Sequence, residues 1–356
     1  MASSTPARKP TPKAVPRPTV VGVMPLFNGE AWVEQALDSV IAQTVAVDEF
    51  IIVDDGGTDG GRTIADRYAA EHPFIRVMST GVAGGGQSAA RNLAIATSSS
   101  DWVALIDQDD VWYPNHIEDL LEAIDDHRGL RLGWVYSEFD DIDLDGKLIT
   151  RDFITHRQTQ NPKRDLITVL AQGFIIQPSA TLIARTAMVD VGGFDEKLSG
   201  YEDDDLFLRL FLGNYDNIWL PDPTSQWRIH ASSSGASSRT DDSFTYYGKK
   251  LIEMFPDDKW RGYYYRRDVI APRIMRTWMQ MYVRASRFHN GPKMKQYARE
   301  ARRYARYLPP RHRVMMFWFL WVIGLPPVVR LRIATADDDS LVWAPLIALA
   351  RRVSRM

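Results

Sequence analysis

The sequence contains no cysteine. That absence removes disulfides, thiolate nucleophiles and Cys-ligated zinc together, and it suits a reducing, cytoplasmic setting. The first 19 residues, "MASSTPARKPTPKAVPRPT", have no acid and carry Arg8, Lys9, Lys13 and Arg17 among prolines. They also lack the apolar core of a secretory leader, so residues 1–19 are expected to form a disordered basic arm. No internal repeat is visible. No strand is followed by the G-x-G-x-x-G spacing of a dinucleotide site. The glycines of "GVAGGGQSAARN" lack the Lys-Ser/Thr pair of a P-loop, so a dinucleotide fold and a triphosphate cradle are both disfavoured.

Long apolar runs are scarce. The exception is "VMMFWFLWVIGLPPVV", residues 314–329, which Pro326-Pro327 interrupts. It is shorter than the roughly 20 residues that span a bilayer. Arg311, His312, Arg313, Arg330 and Arg332 flank it, and Trp318 and Trp321 suit a lipid interface. Docking on an anionic membrane surface is the favoured reading, against a buried amphipathic helix packed on the protein. The expected location is therefore cytoplasmic, at the inner face of the cell membrane.

What is present is a chain of 356 residues, 45% apolar, enough for a large core. Its net charge of -2 hides an acidic middle and a basic end, with "RGYYYRRD", "RIMRTW" and "AREARRYARYLPPRHR" beyond residue 260. The first half alternates strand and helix patterns: "TVVGVMPLF", "AWVEQALDSVIAQT", "EFIIVDD", "TIADRYAAEH", "FIRVMS", "SAARNLAIATS" and "WVALID". In the first helical stretch Val33, Ala36, Leu37, Val40 and Ile41 share one face. This rhythm predicts an α/β protein with a parallel, doubly wound sheet, whose ligands sit at the carboxyl ends of strands. Beyond about residue 130 "LGWVYSEFDDIDLDGKLIT" reads as strand, turn and strand. "ATLIAR", "NIWLP" and "SQWRIH" read as further strands and "YEDDDLFLRLFLG" as a helix. A basic helical tail starts near Ser243.

Three predicted strands end in polar residues: Asn28, the pair Asp54-Asp55, and Asp107-Gln108-Asp109-Asp110. Two carboxylates at i and i+2 past a strand end can share a hard divalent cation, Mg²⁺ or Mn²⁺. Without one, like charges about 4 Å apart repel by roughly 1–4 kcal/mol. The alternative is a solvated turn capping the helix near Pro114. The acids of "IIVDDGGTDGG" can accept from a base or ribose hydroxyls, or simply cap a strand-to-helix turn. "DDIDLDGKLITRD" has the look of a calcium loop through Asp141, Asp143, Asp145, Gly146 and Asp152. Its flanks read as strands, however, and Asp145-Gly146 is a hairpin signal, so calcium binding is disfavoured. In "GGFDEKLSGYEDDDLFLRL" the acids Glu202–Asp205 open an apolar helix, where they complement its dipole, and one of them can serve as a general base.

Together these segments resemble the inverting family 2 glycosyltransferases with the GT-A fold, over residues 20–238. The resemblance rests on "VMPLFNGEAWVEQALDSVIAQT", "EFIIVDDGGTDG", "AARNLAIATSSSDWVALIDQDDVWYP", "VGGFDE", "YEDDDLFLRL" and "WRIHASSSGAS", in that order. It implies a Rossmann-like doubly wound mixed sheet over residues 20–240, with a helical C-terminal appendage, 241–356. It implies that Pro25, Phe27, Asn28 and Glu30 lie under a nucleotide and that Asp54 and Asp55 read base and ribose. Arg91 would approach base or pyrophosphate. Asp107 and Asp109 would form the D-x-D motif, with Asp109 most directly on Mn²⁺ or Mg²⁺ and Asp107 also facing the nucleotide. Asp203 would be the base, with Glu202, Arg228 and His230 at the acceptor or diphosphate. Within the acidic run, Leu206 and Leu210 are expected on the buried face, Asp205 is expected to pair with Arg209, and Asp204 to be an exposed first-turn acid. Gly57 departs from the family's usual Ser, and Leu93-Ala94 from its usual Gly.

The expected activity is metal-dependent inverting transfer of a sugar from a nucleoside-diphosphate sugar, a UDP-sugar by default, to a hydroxyl of a glycan or lipid-linked acceptor, in cell-envelope or lipid-linked glycan synthesis. No nucleic-acid partner is expected. Two rivals are weaker. "DQDDV" matches the nucleophile motif of haloacid dehalogenase-like phosphatases, but three strands precede it. A catalytically silent nucleotide-sugar-binding module would not need both Asp109 and Asp203.

Overall fold

The computed structural model describes residues 16–230, 238–288 and 290–315. Most of the basic arm, the segment 231–237 and nearly all of the apolar run 314–329 lie outside the described residues. The chain forms two compact units. One comprises residues up to Arg157 with Ile176–Phe194 and Arg209–His230. The other comprises Gln158–Ile175, Asp195–Leu208 and the residues from Ala231 onward.

The first unit is built on the predicted alternation. Strands β1 (Val20–Leu26), β2 (Glu49–Asp54), β3 (Ile75–Ser79) and β4 (Trp102–Leu105) are joined by helices α1 (Val33–Ile41), α2 (Gly61–Glu71) and α3 (Gln87–Thr97). The four strands are parallel, in the order β3-β2-β1-β4. Strands covered on both faces read as continuous apolar runs, and every side chain of β4 is buried accordingly. Val33, Ala36, Leu37 and Val40 are buried as expected, whereas Ile41, at the last turn of α1, is exposed.

Beyond β4 the chain makes the two-residue strand β5 (Val111–Trp112), helix α4 (His116–Asp126) and the long strand β6 (Leu132–Ile142). A hairpin joins β6 to β7 (Leu148–Thr150), and α5 (Phe153–His156) follows. The supposed calcium loop is thus a hairpin. Asp143 accepts from the backbone amides of Asp145 and Lys147, and Gly146 takes φ +81 at the turn. Further along come α6 (Leu166–Gln172), β8 (Thr181–Ala184), α7 (Arg185–Asp190), α8 (Glu202–Leu212) and β9 (Asp216–Arg228). Among the described residues there is one sheet of nine strands, β3-β2-β1-β4-β8-β6-β9-β5, with β7 on β6. β8 runs antiparallel to β4 and β6, and β9 parallel to β6, so the sheet is mixed. The sequence suggests two strands in place of β9. They are one strand because its register with β6 shifts between Ser137, paired with Leu220, and Glu138, paired with Pro223. That bulge accommodates the two prolines, which cannot donate to a regular ladder.

The second unit is helical around α9 (Ser238–Met254), a π-helical turn (Tyr265–Ile270), α10 (Ala271–Arg287) and α11 (Gly291–Ala305). Trp278, Tyr247, Phe244 and Tyr304 are among its buried large side chains. Among the described residues no helix is long and apolar enough to cross a membrane.

Candidate active site

The carboxyl ends of β1, β2 and β4 lie side by side, and their loops are tied together by side chains. Gln108, after β4, accepts from the Phe27 amide at 2.7 Å and donates to the Phe27 carbonyl at 3.0 Å. Asn28, at φ +52, accepts from the Thr58 amide at 2.7 Å. Glu30 accepts from the Gly60 amide at 2.9 Å, and its own amide donates to Asp59. Asn28 and Glu30 therefore lock the β1 loop to the β2 loop. Pro25 sits within β1, in register with Val53, and Phe27 is exposed. Gly57 lies so near this lock that a Cβ there would come 2.8 Å from the Asn28 backbone nitrogen. Its place where the family usually has Ser thus has a steric reason in this chain.

The acids after β2 shape the neighbouring loops. Asp54 accepts from the amides of Gly56 and Gly57 and faces Arg62 at 3.4 Å. Asp55 accepts from Thr80 and from the amides of Gly85 and Gly86 at 3.0 and 2.7 Å. The glycine-rich stretch after β3 is folded onto this carboxylate, and Gly84 and Gly86 adopt the positive φ values that the turn requires.

The run after β4 divides its labour. The Asp110 amide donates to the Asp107 carbonyl, closing a tight turn that sends Asp110 inward. Asp110 is 0% exposed, whereas the side chains of Asp107 and Asp109 are 26% and 20% exposed. Asp110 accepts from Ser179 at 2.5 Å, Gln177 at 2.9 Å and the Arg228 amide at 3.1 Å. Burial, reinforced by the charges of Asp109 and Asp107, pushes its carboxyl well above the ordinary range. It is the internal anchor of the turn, and the other two carboxylates keep part of their surface open.

Each of those two is held from the protein side. Arg91, on α3, is buried with its guanidinium 2.5 Å from Asp107 and 5.3 Å from the Phe194 ring centre. Asp109 accepts from His230 Nε2 at 2.7 Å, and its carbonyl accepts from Arg228 Nε at 2.8 Å. Burial first, and then the Asp107 charge, raise the Asp109 carboxyl, while His230 opposes the rise. His230 stacks on Trp32, ring centres 4.4 Å apart. Arg228 is buried, and its remaining donors reach the carbonyls of Asp143 and Leu144 and the side chain of Gln35. Arg228 and His230, expected at the acceptor or diphosphate, thus both bond to the D-x-D segment.

Among the described residues no group of three or more His, Cys, Asp or Glu side chains forms a metal cage. Two partly exposed carboxylates, Asp107 and Asp109, fit a different kind of site. They offer hard oxygens to a divalent cation and leave positions for phosphate oxygens, the way such ions meet nucleotides. Burial and the Asp107 charge together raise the Asp109 carboxyl, and a cation would offset both.

Asp203 and Glu202 belong to the second unit, in the first turn of α8. Leu206 and Leu210 are buried as expected. The expectation for Asp204 is corrected. Asp204 is bonded to Arg273 at 2.5 Å and to the Phe174 amide at 2.9 Å, so it is no free surface acid. Asp205 pairs with Lys250 at 2.7 Å, while Arg209 donates to the Val191 carbonyl. Lys250, on α9, is thus a partner of the buried Asp205 that the i,i+4 spacing to Arg209 does not reveal. Glu202 is buried, and Asp203 accepts from the Asp204 amide.

Sequence reasoning did not single out Gln35, Trp32, Gln177, Ser179 or Phe194. Their only signal is spatial, since each lies far along the chain from the acid or base it supports.

Residues 23–185 match the family profile described as Glycosyl transferase family 2. Similar proteins named as glycosyltransferases include EpsH of Bacillus subtilis (strain 168), 29% identical over 220 residues, which are 61% of this chain and 62% of EpsH. RP339 of Rickettsia prowazekii (strain Madrid E), an uncharacterized glycosyltransferase, is 28% identical over 54% of this chain and 59% of its own length. The chain thus spans less than two thirds of either relative. Among solved structures, S. aureus TarS 1-349 in complex with UDP-GlcNAc matches with a TM-score of 0.62 at 14% identity, over 84% of this chain and 86% of that one. The mannosyltransferase PcManGT from Pyrobaculum calidifontis, in complex with GDP-Man and Mn²⁺, matches with a TM-score of 0.51 at 18% identity, over 98% and 85%. These likenesses show the fold, which is the GT-A arrangement expected from the sequence.

Proposed function

We propose that this chain, whose residues 23–185 are a family 2 glycosyltransferase domain, moves a sugar from a UDP-sugar to a hydroxyl of a glycan or lipid-linked acceptor, with inversion and with help from a divalent cation. The observation that carries the reading is the arrangement after β4. One carboxylate of the run is buried as an anchor, and the other two stay partly exposed, each held by a basic side chain, Arg91 or His230. TarS with UDP-GlcNAc and PcManGT with GDP-Man and Mn²⁺ support a nucleotide-sugar donor and a metal.

In this reading Asp107 and Asp109 would hold the cation, which when bound would supply charge compensation for the departing nucleoside diphosphate. Arg91 and His230 fix the two carboxylates, and Arg228 fixes the backbone between them, so that little reorganisation is needed during reaction. Asp55 and the glycine loop it holds take the base and ribose, beside Asp54 and the β1 loop with Pro25, Phe27, Asn28 and Glu30. Asp203 takes the proton of the acceptor hydroxyl as it attacks the anomeric carbon from the face opposite the diphosphate. Single displacement inverts that carbon. Asp204 and Asp205 are unsuited to the role, because Arg273 and Lys250 engage them. The tail's apolar run and its flanking arginines support work at the inner face of the cell membrane, on envelope or lipid-linked glycans.

A panel of UDP-, GDP- and dTDP-sugars with Mn²⁺ tests the reading by thermal shift, followed by the anomeric configuration of the product. Stabilisation by a UDP-sugar and an inverted product are expected. A retained configuration would overturn the single displacement, and no response to any nucleotide sugar would overturn the donor class.

A further inference from the structure

The second unit holds a cavity that the transferase reading does not use. It is a half-open depression of about 230 Å³, lined by Lys249, Glu253, Arg266, Arg303, Tyr304 and Arg306, among others. That is far more than the roughly 30 Å³ share of one water, and less than the usual 300–1,000 Å³ of a drug-sized ligand site. A small headgroup is the right scale.

The lining is strongly one-signed. Four cationic heads face two carboxylates, Glu253 in the lining and Glu300 paired with Arg303 at 2.8 Å. Arg266 is oriented by a bond from its Nε to the Ile252 carbonyl, and its two terminal nitrogens make no hydrogen bond among the described residues. Lys249 has no ion pair or hydrogen bond there either. Arg306 donates to the Tyr307 hydroxyl at 3.0 Å and lies over its ring.

Tyr304 also lines the cavity, but it is 2% exposed and its hydroxyl packs against Gly248, so the cations carry the case. An anion in the cavity would answer their excess. Planar guanidinium groups match the oxygens of phosphate in particular.

We propose that this cavity, between α9, the π-helical turn and α11, binds a phosphate-bearing anion, with Arg266, Arg303, Arg306 and Lys249 as its cations. The phosphate can arrive free in solution or as the headgroup of an anionic lipid, and two probes separate these sources: inorganic phosphate, and vesicles containing phosphatidic acid compared with vesicles of phosphatidylcholine alone.

The test uses the full chain and the triple variant Lys249→Gln, Arg303→Gln, Arg306→Gln. All three side chains are exposed at the cavity mouth, so the fold should survive; circular dichroism and unchanged UDP binding check this. A control of equal charge, Lys259→Gln, Arg261→Gln, Lys295→Gln, alters exposed cations outside the lining. Saturable binding of at least one probe is expected, weakened tenfold or more in the cavity variant and less than twofold in the control. A loss seen with phosphate identifies the free anion as a ligand, and a loss confined to vesicles identifies the lipid headgroup. Absence of binding to both probes, or equal losses in the two variants, would overturn the proposal. Because UDP binding is read separately, failure here leaves the transferase reading intact.

Discussion

Two acidic runs of equal length lie in the two units and are used differently. The run Asp107–Asp110 ends a parallel strand; the run Glu202–Asp205 opens a helix. In the first, the turn buries one acid as an anchor and leaves two partly exposed, steadied by Arg91 and His230. In the second, two acids are held in ion pairs by Arg273 and Lys250. A dense acidic run is therefore not a uniform site. Backbone geometry and the cations that reach it decide which carboxylates keep an open face.

The sharpest way to break this contrast is to remove one acid from each run. Asp109→Ala should lower kcat by about 10³-fold or more, since several kcal/mol of charge stabilisation go with it. EDTA should do the same to the unaltered protein, and steady-state kinetics read both effects. In the helical run Asp203→Asn should lower kcat by about two to four orders of magnitude while leaving UDP-sugar affinity nearly unchanged, as expected for a lost general base. If the Asp203 variant stays active and a Glu202→Gln variant is inactive, the base lies one residue earlier.

The next change should register in stability. Asp205→Ala leaves Lys250 with Asp195 alone, at a cost of about 2–4 kcal/mol in urea unfolding, toward the lower end of what breaking a buried pair costs. A midpoint unchanged from the parent would mean that the ion pair is only a surface contact.

The smallest effect is a slope in pH. Lys163, buried in the second unit, is pushed down to about 8 by burial, against the pull of Asp204. The folded state then loses its proton before the unfolded state does. Stability should rise between about pH 8 and the ordinary lysine value near 10.4, on the order of 1–3 kcal/mol. Lys163→Met should lack that rise when both proteins are unfolded in urea across the window, and parallel curves would refute the shift.

The parallel half of the sheet was legible because strands buried on both faces are written as apolar runs, and their polar ends stand out. Asp107 and Asp109 could be picked as a pair on that ground. The inward turn of Asp110 could not, because it depends on one backbone hydrogen bond and on Ser179 and Gln177 from far along the chain. The partners of Asp204 and Asp205 were hidden for the same reason. Local spacing points only to Arg209, and Lys250 and Arg273 arrive from helices that periodicity cannot dock. The family resemblance puts Asn28 and Glu30 under the nucleotide, and nothing local indicates that their side chains also tie two loops together. β9 reads as two strands because its prolines look like breaks until the bulge opposite Glu138 is known.

Isothermal titration of UDP tests the account most directly, with Mn²⁺ and with EDTA, on the full chain and on Asp109→Asn. The account predicts binding that requires Mn²⁺ and weakens tenfold or more in the variant. Equal affinity for UDP in EDTA and in Mn²⁺, unchanged by the substitution, would contradict it.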